Sequence, residues 1–180
     1  MRCVVLVMVF GMFSVVLGAC GSTAGGDQAS PAAGDKASTA GQEEGAACVA
    51  ALKAHQTDTK ALCTDAANLG NADGIAGLGF LAAEAGDKAS AKSWYQKAAD
   101  LGNAAGMAGL GNQDALAGDL ASAKSWFQKA ADLGDSAGMA GLGFVAALEG
   151  DKASAKSWLQ KAADLGNQDA IDALAKIDAS

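Results

Sequence analysis

The chain has one arginine (Arg2), one histidine (His55) and one proline (Pro31) in 180 residues, and only 5% of it is aromatic. Binding to nucleic acid needs concentrated positive charge against the phosphates. With 13 basic residues against 20 acidic ones and a net charge of −7, no nucleic-acid partner is expected. A single histidine with no metal-ligand spacing around it gives no basis for a metal centre, and no cofactor is expected either. The shortage of aromatics means that any core is built from small side chains packed closely, since 51% of the chain is apolar and Gly adds 24 residues. The length is enough for one domain with a real core.

The first residues are of a different kind. Met1-Arg2 gives a positive start, residues 4–16 are an apolar run, and Leu17-Gly18-Ala19-Cys20 follows directly. A charged start, an apolar run of this length and small residues before the cut describe an export signal over residues 1–19, not a lasting membrane span. Leu17-Gly18-Ala19-Cys20 resembles the lipobox of bacterial lipoproteins. The resemblance implies that Cys20 receives the lipid (palmitate among its acyl chains), becomes the new N-terminus and anchors the chain to a membrane. Gly21 stands where enteric bacteria place an inner-membrane retention aspartate, which implies the outer membrane or its periplasmic face. Residues 20–46 then read as the lipidated cysteine and a flexible Gly/Ala/Ser linker, too poor in large apolar residues to fold by itself.

From residue 47 onward the chain repeats. A ten-residue phrase beginning at Ser93 returns at Ser125 and Ser157, so that Trp94, Trp126 and Trp158 are 32 residues apart, as are Gly86, Gly118 and Gly150. A fixed period of this size is the signature of stacked supersecondary units. Ala91, Trp94, Ala98 and Leu101 recur at helical spacing, Asp87 is a helix N-cap, and Gly102 followed by Asn103 is a stop and a new start. Each period is therefore read as two short helices. In the helix after each junction, glycines recur: Gly74, Gly77 and Gly79, then Gly106, Gly109 and Gly111, then Gly138, Gly141 and Gly143. Each costs about 1 kcal/mol of helix propensity. Either a neighbouring helix, carrying Trp94, Trp126 or Trp158, approaches the bare backbone closely, or these segments are glycine-rich loops. The interleaved Ile75, Leu78, Met107, Leu110, Met139 and Leu142 favour helix. Working back by 32, Leu62, Cys63 and Cys48 stand at the places of Trp94, Tyr95 and Phe80 in a degenerate first unit. The segment from Asn167 to Asp178, with Ile171, Leu174 and Ile177 on one side, is the expected cap of the array.

Residues Ala91, Trp94, Tyr95, Lys97, Ala98, Ala99, Gly102, Leu110 and Gly111 resemble the Sel-one-like repeat, a subfamily of the tetratricopeptide repeats. The second copy matches through Trp126, Phe127, Lys129, Gly134 and Gly143, and the third through Trp158, Lys161 and Gly166. The resemblance implies an all-α, right-handed solenoid of helical hairpins: four repeats of 32 residues over 47–180, plus a C-terminal capping helix. The family's longer period and its Gly-x-Gly-Val turn are missing, which implies tighter hairpins.

No catalytic set emerges. Ser90, Ser122 and Ser154 are each followed two residues later by a lysine, a spacing that points the two side chains to different sides of a helix. The acidic residues follow the repeat and show no paired-carboxylate site. Cys48 and Cys63 are the thiols left beside Cys20 in an exported chain, and an oxidising compartment favours a disulfide between them. Against it, their counterparts Phe80 and Tyr95 belong, by family analogy, to different faces. The same analogy puts a binding surface on the concave side, where Phe80, Asn112 and Phe144 follow each Leu-Gly and Gln113 adjoins the polar centre. Phe80 and Phe144 are either a recognition stripe or part of the core. The expected function is a non-enzymatic protein–protein interaction scaffold at the cell envelope. The alternative is a secreted or envelope hydrolase or cell-wall-ligand binder of the cysteine-rich repeat type, which recognises β-lactams or peptidoglycan and carries a cysteine pair in each repeat.

Overall fold

A computed structural model describes residues 39–178. The leader at 1–19, the lipidation site Cys20 and the linker up to residue 38 lie outside the described residues. Those described form helices α1 (Thr39–Lys53), α2 (Thr59–Asn68), α3 (Ala72–Glu84), α4 (Lys88–Asp100), α5 (Ala104–Leu116), α6 (Leu120–Asp132), α7 (Ser136–Leu148), α8 (Lys152–Asp164) and α9 (Gln168–Asp178). None of them is long and apolar enough to cross a membrane. The last part of the stretch read as linker, from Thr39 on, is helical. Helix α1 begins at Thr39 and buries Gly41 and Gly45, the latter against Asn71, the cap of α3, so tertiary packing overrides a weak helical sequence.

The array is a helical-repeat solenoid: α1–α2, α3–α4, α5–α6 and α7–α8 are hairpins, and each helix packs on the next in sequence, with α9 closing the end against α8. Between α3 and α8 the joints are uniform. Gly86 has φ 79° and donates to the Ala83 carbonyl, and the Asp87 N–H reaches back to Ala82 at 2.9 Å, ending α3. The Asp87 carboxylate then accepts from the Ser90 N–H at 3.0 Å and starts α4. Asn103 repeats the start at α5 by accepting from the Gly106 N–H at 2.8 Å. The α1–α2 joint differs. It has no glycine, His55 takes a left-handed φ of 49°, and the buried Thr59 hydroxyl ties the turn by donating to the Gln56 carbonyl at 2.5 Å.

The glycine-rich segments are helices, and their glycines are packing surfaces, but the tryptophans are not what they face. Tyr95, Phe127 and Leu159, one residue further on, do that work. A Cβ placed on Gly79 would lie 2.6 Å from the Tyr95 ring, and one on Gly111 would lie 2.7 Å from Phe127. The buried face of α4 accordingly runs through Ala91, Tyr95, Ala98 and Ala99, while Trp94 is half-buried beside it and Leu101 is exposed. Each tryptophan instead carries a lysine over its ring, Lys97 at 4.4 Å from Trp94, Lys129 at 4.2 Å from Trp126 and Lys161 at 4.0 Å from Trp158. In α9 the buried residues are Ala170 and Leu174, and Ile171 faces solvent. A helix covering an alanine-lined end needs only a narrow stripe.

Candidate functional site

Helices α1, α3, α5 and α7 pack on one another along one side of the array, while α2, α4, α6 and α8 sit behind them. Alanine and glycine make these inner helices thin, so they approach closely and leave a groove of about 520 Å3 across α1, α3 and α5. Its floor is Ala76, Gly77, Ala108 and Gly109, with Leu52 and Phe80 standing above it. Phe80 is 43% exposed. Lys53 and His55 lie at the end made by α1, and Asp73 and Asp135 come from the N-terminal ends of α3 and α7. Asp73 is fixed by the Asn103 side chain, which donates to it at 2.6 Å across two repeats.

Tyr95 reaches the groove between α3 and α5 from behind. Its ring is clamped by Gly79 of its own hairpin and Gly109 of the next. Burial, aided by the nearby charge of Glu84, pushes its hydroxyl up to about 12, so it stays a neutral group in the groove wall.

Of the four residues expected on this surface, the structure brings Phe80 and Asn112 together in the groove. Phe144 is 42% exposed on α7 but does not line it, and Gln113 is half-buried and also stands outside it. The groove residues that sequence reasoning missed include the alanines and glycines of α3 and α5, Leu52 and Lys53 of α1, Tyr95 and His55. The glycine spacing signalled a close approach but not its partner. His55 is exposed in the α1–α2 turn and borders the groove because α1 ends beside it.

Cys48 and Cys63 are joined in a disulfide, both fully buried. Their meeting has a local cause. Gly77 faces both sulfurs, 2.6 Å and 2.9 Å from where its Cβ would be, as Gly109 faces Tyr95. The cystine thus occupies the slot that an aromatic ring fills in the later repeats, and Cys48 lies beside that slot rather than at the exposed position of Phe80.

The Sel1 repeat profile matches residues 66–103, 104–135 and 137–167. The chain belongs to the Sel1 repeat family. The matched segments contain α3 to α8, and α1 with most of α2, where the cystine replaces the ring, falls before the first of them. No curated protein matches the chain. Sel1 repeats are helical-repeat protein-interaction modules, typically non-catalytic, and no enzyme family matches this chain.

Proposed function

We propose that this Sel1 repeat protein is a cell-envelope lipoprotein, anchored by a lipid on Cys20, whose solenoid is a non-enzymatic scaffold for another protein. The observation that carries the scaffold reading is the groove across α1, α3 and α5, in which an exposed Phe80 stands over an alanine and glycine floor. Apolar concave surfaces bordered by a few polar groups suit an extended or helical segment of a partner. The lipid anchor is supported by the Leu17-Gly18-Ala19-Cys20 sequence after an export-type leader.

The test is fractionation of cells making the intact chain or Cys20→Ser, with a photo-crosslinker at position 112. Membrane retention only with Cys20, and a single crosslinked partner lost on Phe80→Asp, is the expected result. Release into the medium regardless of Cys20 would sink the anchor. Turnover of a β-lactam reporter by the purified chain would sink the non-enzymatic reading.

A further inference from the structure

A second groove, of about 780 Å3, runs along the opposite side of α3, between α2 and α4. Ile75, Leu78 and Leu81 form an apolar floor, α2 contributes Lys60 to one wall, and α4 contributes Trp94 and Lys97 to the other. No residue is shared with the concave groove.

The repeat makes Lys60 informative. Its counterpart one unit on, Lys92, meets Asp114 at 3.5 Å, and two units on, Lys124 meets Glu149 at 2.9 Å. These acids stand 22 and 25 residues after their lysines, and the same steps from Lys60 reach Ala82 and Ala85. Both alanines line this groove. Among the described residues Lys60 therefore lacks the cross-repeat partner that Lys92 and Lys124 have. Beside it, the Thr64 hydroxyl folds back within α2 and donates to the Lys60 carbonyl at 2.7 Å. On the facing wall, Lys97 rests its ammonium 4.4 Å above the Trp94 ring, an attraction that does not neutralise the charge. The one acid in the lining, Asp87, accepts from the Ser90 N–H at the start of α4, so the groove carries two ammonium groups against one carboxylate.

Among the described residues Lys60 and Lys97 have no carboxylate partner, and they flank an apolar floor in a chain of net charge −7. We propose that this groove docks an acidic peptide segment of a partner protein, with an apolar side chain on Ile75, Leu78 and Leu81 and carboxylates on Lys60 and Lys97. The charge complementarity is local to this unit, because only here are both positions that supply the later lysines with an Asp or Glu partner occupied by alanine.

The probe is an acetylated, amidated peptide, Glu-Leu-Glu-Leu-Glu, titrated calorimetrically into the full-length chain in detergent. Saturable binding is expected, with Kd raised about fivefold or more by Lys60→Glu, kept within about twofold by Lys60→Arg, and unchanged by Lys129→Glu, which lies outside the groove. No saturable binding, equal binding of the peptide with Lys in place of each Glu, or an unaltered Kd in Lys60→Glu would overturn the proposal. Decanoate binding that depends on Lys60, without peptide binding, would also overturn it and assign the groove to small amphipathic anions.

Discussion

Tyr95 and Gly109 stand on neighbouring repeats with no room for a methyl group between them: a Cβ on Gly109 would come within 2.6 Å of Tyr95 Cδ1. Phe127 and Gly141 repeat the relationship at 2.5 Å. Where the ring becomes Leu159, the next position in the series is Ala173, which packs against the cluster holding Leu159. A smaller knob is matched by a restored methyl group. Gly109 and Gly141 are thus the female half of an inter-repeat joint, Gly79 and Gly111 hold the same rings from within the hairpin, and their helix-propensity cost is offset by close packing.

Gly109→Ala tests this joint directly. On propensity alone the change stabilises by about 1 kcal/mol, but the added carbon meets a clamped ring and overpacking costs about 1–3 kcal/mol. A net loss in urea unfolding is expected, with partial recovery when Tyr95→Leu is added, as at Leu159. A stabilised single variant would show that the ring moves aside freely.

Loss of the Cys48–Cys63 disulfide should act locally. The bridge closes a loop with a sequence separation of 15, worth about 3 kcal/mol in the loop-entropy model. In a solenoid each unit leans only on its neighbours. Cys48→Ser with Cys63→Ser is expected to raise amide exchange across α1 and α2 while α5 to α8 stay protected. Uniform loss of protection would mean that the first hairpin nucleates the whole array.

His55 adopts a left-handed φ of 49° where the other turns use glycine. Relief of that backbone strain, less the entropy glycine adds to the unfolded chain, should make His55→Gly more stable by about 0.5–1 kcal/mol. The denaturation midpoint gives the answer, and a lower midpoint would show that the imidazole makes contacts worth more than the strain.

Acid should weaken the helix starts. Hydrogen bonds from Ser90, Ser122 and Ser154 hold the carboxyls of Asp87, Asp119 and Asp151 below the ordinary value of 3.8. A carboxyl lowered by folding contributes stability above its unfolded value, and that contribution is lost as the pH falls through the folded one. Asparagine caps as well but does not titrate in this range. The triple variant Asp87→Asn, Asp119→Asn, Asp151→Asn should therefore lose less thermal stability than the parent from about pH 5 to about pH 2. Equal losses would assign the acid sensitivity elsewhere.

Much of this was legible along the chain. The 32-residue period gave the hairpins, and Asp87, Gly102 and Asn103 marked their ends because capping is a matter of backbone geometry within a few residues. The errors share one cause. Trp94 and Tyr95 differ by one helical step, about 100° of rotation, and spacing at three and four tolerates either as the centre of a face. The buried face was therefore assigned to Trp94, Leu101 and Ile171, when Tyr95, Ala99 and Ala170 hold it. Likewise, a fixed step of 32 placed Cys48 on Phe80, although the α1–α2 turn is built differently.

The sequence by itself determined the repeat, the helix boundaries from α3 to α8 and the family, because these depend on local propensity and on identity recurring at a fixed interval. Only the tertiary structure decided which rings enter which glycine gaps, that α1 starts at Thr39, that the cystine replaces a ring, and that Lys60 faces two alanines across an open groove. Those facts depend on rotation and approach between helices, which are set by packing against a neighbour and carry no separate mark in either chain segment.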